Sequence, residues 1–260
     1  MSTRVSRALV TGASAGLGAS FAHHLAARRV ELVLVARRAD RLEALAAELP
    51  VDVEVLRADL GVPADLARVE ARLAATHAPV DLLINNAGLG AYGRFDALDA
   101  DRQAGLVDVN VRALVRLARA VLPRLVAEGA GGIVNVGSTA GFQPNPYGAV
   151  YGATKAFVRS FTEALHEELR GTGVRAMLLA PGFTDTEFQA VADVAADAVP
   201  GGARMDADTV VEVALRDYAA GRVVSVPGAV NRLSSGGAQV VPSVITRRLS
   251  AIIHRRFVGS

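Results

Sequence analysis

Cysteine is absent from the 260 residues, which removes disulfides, thiolate nucleophiles and cysteine-based zinc or iron–sulfur sites together. Tryptophan is also absent and aromatics make up 5% of the chain, so Ala, Val and Leu must fill the interior. No apolar run approaches the ~18 residues that span a bilayer. Residues 1–7 are short and polar and lead straight into a strand-like segment, unlike a signal peptide. The expectation is a soluble protein of the cytoplasm. Among five histidines, His23 and His24 are adjacent and point apart on a helix, and His166 lacks a partner at ligand spacing, so no metal site is expected. Net charge is only +2, and residues 229–260 hold five arginines and no acid, which leaves −3 on the body. A body of that sign is a poor nucleic-acid partner. Lysine is the scarcest charged residue, with Lys155 the single example among 28 Lys+Arg. In a chain that otherwise uses arginine, a retained lysine marks a place where a broad planar guanidinium does not serve.

What is present is alternation. Residues 7–12 form a short apolar run ending in glycine, and 15–28 follow with helical spacing at Leu17, Phe21 and Leu25. Strand-like runs recur at 31–35, 51–56, 81–84, 132–136, 174–179 and 222–226. Helical patterns lie between them at 40–49, 63–76, 99–127, 150–170 and 206–219. Asp40 and Glu43 have the spacing of a capping box. Such alternation predicts βαβ units, a parallel sheet covered on both faces, and one domain over residues 1–228. Residues 184–205 have the length and small-residue content of a lid. In the extension 229–260, Ile245, Leu249, Ile252 and Ile253 share a helical face opposite Arg247, Arg248, His254 and Arg255. Packing on the same domain or on a partner subunit is favoured there over contact with an anionic membrane surface.

The unusual clusters all fall just after a strand, where open α/β sheets bind ligands. The first is Thr11-Gly12-Ala13-Ser14-Ala15-Gly16-Leu17-Gly18, a glycine loop opening a helix and suited to a pyrophosphate. Ala36-Arg37-Arg38 stands where a carboxylate would hold the ribose of NAD; paired arginines suit a 2′-phosphate instead, unless they only begin a solvated helix. Asp59-Leu60 offers an acceptor for an adenine amino group or an ordinary turn residue. Asn85-Asn86-Ala87-Gly88, Ser138 and Pro181-Gly182 end three further strands. Asn110 lies within the long helical pattern, either as a surface asparagine or as a hydrogen-bonding group at a kinked turn. Tyr151 and Lys155 are four apart, so a helix stands them one turn apart on one face. A fixed cation there would lower the phenol's pKa and let it trade protons; the alternative is a solvated surface pair.

Together these marks resemble the single-domain branch of the short-chain dehydrogenase/reductase family, over residues 11–182. The resemblance implies a Rossmann-type α/β fold: a doubly wound, seven-stranded parallel sheet with three helices on each face. It implies catalytic roles for Tyr151 as proton donor or acceptor, Ser138 as hydrogen-bond donor to the substrate oxygen, and Lys155 as holder of the nicotinamide ribose. Asn110 would hold a water linking Lys155 to solvent. Cofactor contacts would come from Gly12, Ser14, Gly16, Leu17 and Gly18, from Arg37 and Arg38, and from Asp59 and Leu60. Asn86, Ala87 and Gly88, then Pro181, Gly182 and Thr184, would complete them beside Tyr151 and Lys155. A looser likeness to ketoacyl and 17β-hydroxysteroid reductases rests on Arg37-Arg38, the run from Asn85 to Tyr92, and the run from Pro181 to Thr186.

The expected activity is NADP(H)-dependent hydride transfer between nicotinamide and an apolar ketone or aldehyde, or the corresponding alcohol. A protein that binds NADP(H) as a sensor or scaffold without turnover is the alternative, disfavoured by the intact Ser138, Tyr151 and Lys155. Tyr92, Phe142, Tyr147, Phe183 and Phe188 are candidate pocket residues. The family resemblance also implies a homodimer or homotetramer built on the long helices.

Overall fold

The computed structural model describes residues 5–188, 192 and 204–255. Its strands are β1 (Arg7–Thr11), β2 (Glu31–Ala36), β3 (Val53–Arg57), β4 (Leu82–Asn85), β5 (Gly132–Val136), β6 (Arg175–Leu179) and β7 (Val224–Ser225). They form one seven-stranded sheet in the order β3-β2-β1-β4-β5-β6-β7, with every pair parallel. The helices are α1 (Gly16–Ala26), α2 (Ala39–Glu48), α3 (Pro63–Ala74), α4 (Ala100–Val107), α5 (Leu114–Glu128), α6 (Ala149–Glu168), α7 (Ala207–Ala219), α8 (Ala229–Val240) and α9 (Ser243–His254).

Continuous Val, Leu and Ile runs are what a strand buried on both faces requires, and successive side chains part to opposite cores. Ala8, Val10, Leu32, Leu34, Leu82 and Ile84 pack with Phe21 and Leu25 of α1, Leu42 of α2 and Val211 of α7. Leu9, Val33, Val35, Leu83 and Ile133 pack with Leu66 of α3, Leu117 and Val121 of α5 and Leu165 of α6. Each fully buried Leu or Val contributes roughly 1.5–3 kcal/mol, so two such layers hold the sheet rigid beneath its carboxyl rim. The strand order reverses between β1 and β4, and that is where a crevice opens.

Two local expectations are corrected. The helical pattern at 99–127 is not one helix: a π-helical turn at Asp108–Ala113 separates α4 from α5. Asp40 does not cap α2 with Glu43, because the N-cap falls two residues earlier. Arg38 occupies the N-cap position without a side-chain cap, and Asp40 lies in the first turn, where its charge complements the helix dipole.

Of the lid expected at 184–205, residues 189–191 and 193–203 lie outside the described residues. Its two ends meet at a bridge between Thr184 and Met205. The C-terminal helices pack on the body. Thr246 and Ser250 of α9 are buried, whereas Ile245, Leu249 and Ile252 point outward with 49%, 56% and 65% of their surfaces exposed. Ile253 is outside the described side chains. No helix among the described residues is long and apolar enough to cross a membrane.

Candidate active site

A cavity of about 490 Å³ lies at the carboxyl ends of the strands, bounded by the glycine loop, the ends of β4, β5 and β6, and the inner faces of α8 and α9. Gly12 takes φ +66°, and a Cβ there would come within 2.9 Å of Ala87 Cα, so glycine is required by conformation and by space. The loop is fastened to the end of β4. Thr11 Oγ1 accepts from the amides of Asn86 (3.0 Å) and Ala87 (2.9 Å), and Asn86 Nδ2 donates to Thr11 O (2.9 Å). Gly12, Gly16 and Leu17 line the cavity with Asn86, Ala87 and Gly88 opposite. Gly18 sits behind them, buried at the start of α1.

Ser138 caps a short 3-10 turn, Thr139–Phe142, by accepting from Ala140 N at 3.1 Å. That turn leaves Ser138 lining the cavity beside Tyr151, whose pKa its hydroxyl lowers. Tyr151 and Lys155 stand one turn apart on α6, both buried and both facing the cavity. Lys155 Nζ donates to Val136 O at 2.9 Å and lies 5.8 Å from the centre of the Tyr151 ring. A Cβ on Gly88 would stand 3.4 Å from Nζ, so the ammonium reaches the loop after β4.

The electrostatics correct one expectation. Burial pushes the Tyr151 phenol up to about 12, opposed by the Ser138 hydrogen bond, and no lowering by Lys155 offsets it. Burial also lowers Lys155, to about 8. Loss of water thus holds each group closer to its neutral form.

Asn110 occupies the π-helical turn and is buried. Its Oδ1 accepts from Leu89 N at 2.8 Å, and its Nδ2 donates to Leu89 O at 2.9 Å and Thr154 Oγ1 at 3.0 Å. The amide thus clamps the loop after β4 onto α6; a widened turn is how a helix can present such a group inward.

At the end of the cavity beside β2, Arg38 donates through Nε and Nη2 to Ser14 Oγ at 3.2 and 3.0 Å. Arg37 is exposed at the rim. Asp59 and Leu60 are not among the residues that line the cavity. Asp59 Oδ1 accepts from Gly61 N at 2.9 Å in its own turn, and Leu60 belongs to the core. Pro181, Gly182 and Thr184 form the far wall. Tyr92, Phe142, Phe183 and Phe188 face the cavity, with Tyr92 and Phe188 ring centres 5.8 and 5.6 Å from that of Tyr151. Tyr147 lies instead in a neighbouring hollow, where its hydroxyl accepts from Arg255 Nε at 3.3 Å.

Sequence reasoning missed three contributions. Asn135, in the middle of β5, accepts from Asn85 Nδ2 at 2.9 Å and donates to Thr162 Oγ1 at 3.0 Å, tying the sheet to the helix that carries Tyr151. An asparagine inside an apolar strand was the available signal. His254 and Ser250 of α9 reach the cavity wall, and burial lowers the histidine's pKa. Glu187 pairs with Arg38 and Arg41, a contact spanning 149 and 146 residues that no local pattern signals. Among the described residues no group of three or more His, Cys, Asp or Glu is placed to hold a metal ion.

Comparison with known proteins agrees with this geometry. A family model described as short chain dehydrogenase matches residues 6–195. The NADP-dependent 3-hydroxy acid dehydrogenase YdfG of Salmonella typhi is 41% identical over 186 residues, 70% of this chain and 75% of that protein. A short-chain dehydrogenase from Sphingobium yanoikuyae, solved in complex with NADPH, superposes with a TM-score of 0.82 at 40% identity, over 92% of this chain and 97% of that one. The bulky-bulky ketone specific alcohol dehydrogenase from Comamonas testosteroni gives 0.78 at 35% identity, over 92% and 95%. Other similar structures hold NADH or NAD. The sheet order, the glycine loop, the half-buried Ser138 beside the buried Tyr151 and Lys155, and these likenesses lead to one conclusion: the chain belongs to the short-chain dehydrogenase/reductase family of oxidoreductases.

Proposed function

We propose that this chain is an NADP(H)-dependent oxidoreductase that moves a hydride between nicotinamide and a carbonyl or secondary alcohol, with apolar ketones or aldehydes as its substrates. The observation that carries this reading is the convergence of Ser138, Tyr151 and Lys155 on the cavity that the glycine loop also lines. The residues present fit the cofactor. Gly12 leaves room for close backbone approach, the N-terminus of α1 favours a pyrophosphate, and Arg38 with Ser14 forms a cationic, hydrogen-bonding corner for a 2′-phosphate. Asp59 and Leu60 contribute through the turn and the core rather than by lining the cavity.

When bound, the cofactor supplies or accepts the hydride; the chain supplies orientation and the proton. Tyr151 keeps its proton up to about 12, so it is a ready donor to a developing alkoxide at neutral pH. Ser138 adds a second donor, and the two make a small oxyanion site. Lys155 brings a cation beside the Gly88 loop, where it would hold the nicotinamide ribose. Tyr92, Phe142, Phe183 and Phe188 supply apolar lining on the substrate side, in keeping with a bulky ketone. Residues 1–228 and the extension act as one catalytic unit in this reading, since α8 and α9 wall the cavity. The enzyme is read as cytoplasmic and self-associating; Val107, Val126 and Phe157 are exposed on the long helices and offer apolar surface for a partner copy.

The test is NADPH binding by fluorescence, together with NADPH oxidation against a carbonyl panel, for wild type and Tyr151→Phe. Binding by both with turnover by wild type alone supports the proposal. Binding by both with no turnover on any carbonyl would replace it with a sensor or scaffold.

A further inference from the structure

Arg38 and Arg41 converge on one carboxylate. Arg38 Nη1 stands 2.9 Å from Glu187 Oε2, and Arg41 Nη1 stands 2.5 Å from Glu187 Oε1. Arg38 keeps its Nε and Nη2 for Ser14 Oγ. The acid comes from the segment after β6, whereas its partners come from the end of β2 and the first turn of α2, so the bridge crosses the mouth of the cavity beside the glycine loop. The same segment covers that loop: a Cβ on Gly16 would stand 2.9 Å from Thr186 Cγ2. Two guanidiniums, each on a separate oxygen of one anion, with a serine hydroxyl behind them, form the arrangement that a phosphate monoester dianion would seek.

We propose that Glu187 is a specificity-determining residue that occupies the seat of the cofactor's 2′-phosphate and gives it up only to that phosphate. The inference rests on the NADP(H) reading and deepens it. An adenosine ribose bearing a free 2′-hydroxyl carries no charge with which to draw Arg41 from Glu187, so it leaves the bridge intact. A 2′-phosphate takes both arginines, and Glu187 must swing away because two anions cannot share the corner. The segment 183–188 moves with it, since Thr186 and Phe188 flank the glutamate and both line the cavity. The side chains of Arg38, Arg41 and Glu187 are 41%, 45% and 48% exposed, so the bridges are individually weak and an incoming dianion can displace them. Glu187 therefore lowers affinity for the phosphorylated ligand while shielding the arginines from other anions.

The test measures binding of 2′,5′-ADP and 5′-AMP to the full chain by calorimetry, for wild type, Glu187→Gln and Arg41→Ala. The expected result is three- to tenfold tighter 2′,5′-ADP binding in Glu187→Gln, several-fold weaker binding in Arg41→Ala, and 5′-AMP within twofold in all three. Unchanged or weaker 2′,5′-ADP binding in Glu187→Gln, with Arg41→Ala still weaker, overturns the role of Glu187 and leaves the NADP(H) reading standing. No preference for 2′,5′-ADP over 5′-AMP in wild type overturns both. Matching melting temperatures among the variants exclude loss of fold as the cause.

Discussion

The ammonium of Lys155 is bonded to the carbonyl of Val136, not to the phenol of Tyr151. The lone lysine of the chain thus caps the end of β5 from a helix, 2.9 Å from the last strand carbonyl and 5.8 Å from the ring it was expected to acidify. The Tyr151 pKa is then raised by burial and lowered only by Ser138.

Tyr151→Phe should cut carbonyl reduction by roughly 10²–10⁴-fold, the span expected for loss of a general acid. Ser138→Ala should cost roughly 10²–10³-fold, as for one oxyanion donor. Steady-state kcat with a fixed carbonyl reads both, and a serine variant with wild-type kcat would remove Ser138 from the site.

Direction should follow pH. Tyr151 holds its proton up to about 12, so reduction draws on a filled donor and stays flat in kcat from about pH 6 to 8. Alcohol oxidation needs the phenol to accept a proton, so its rate should climb tenfold per pH step over that window. Equal, flat profiles in both directions would show that the phenol is not the proton carrier.

Lys155→Met should abolish turnover yet raise stability. Folded Lys155 titrates near 8, against 10.5 for the unfolded group. Below 8 both states are charged and the fold carries the whole burial cost, roughly 3 kcal/mol from that gap. Between about 8 and 10.5 the folded group sheds its proton, and the cost fades. After loss of the Val136 hydrogen bond, the variant should gain on the order of 1–2 kcal/mol at pH 7, a Tm higher by about 2–6 °C. The gain should shrink as pH approaches 10. A variant less stable than wild type at pH 7 would contradict this.

Asn135→Ala removes the link between Asn85 and Thr162 and leaves the Asn85 amide only its longer bond to Leu114 O at 3.4 Å. The expected loss is about 1–3 kcal/mol in denaturant unfolding, with a lowered kcat because α6 carries Tyr151. Full stability would show that the buried pairing is dispensable.

The architecture and the meeting of Ser138, Tyr151 and Lys155 at one cavity were legible because both are written locally. Apolar runs of strand length alternate with helical spacing, and each cluster sits at a strand end whatever the rest of the chain does. Tyr151 and Lys155 share a face by spacing alone, and Asn110 signalled its kink by being a poor helix former at that place. What stayed hidden depends on burial and distance. Lys155 is lowered by the loss of water around it and bonds to a carbonyl nineteen residues away. Asp59 also serves its own turn, by accepting from Gly61 N, and Leu60 also packs in the core, neither of which the strand-end pattern signals. Glu187 meets its arginines only after β6 has crossed the sheet.

The inward polar face of α9 has a consequence for biosynthesis. Ser250 and His254 form part of the cavity wall, and of all the residues that line it they are the last to leave the ribosome. Glycine loop, serine, tyrosine and lysine can be assembled on the emerging sheet while the substrate chamber still lacks a side. A nascent chain should therefore complete the glycine-lined part of the cavity before the wall that Ser250 and His254 supply.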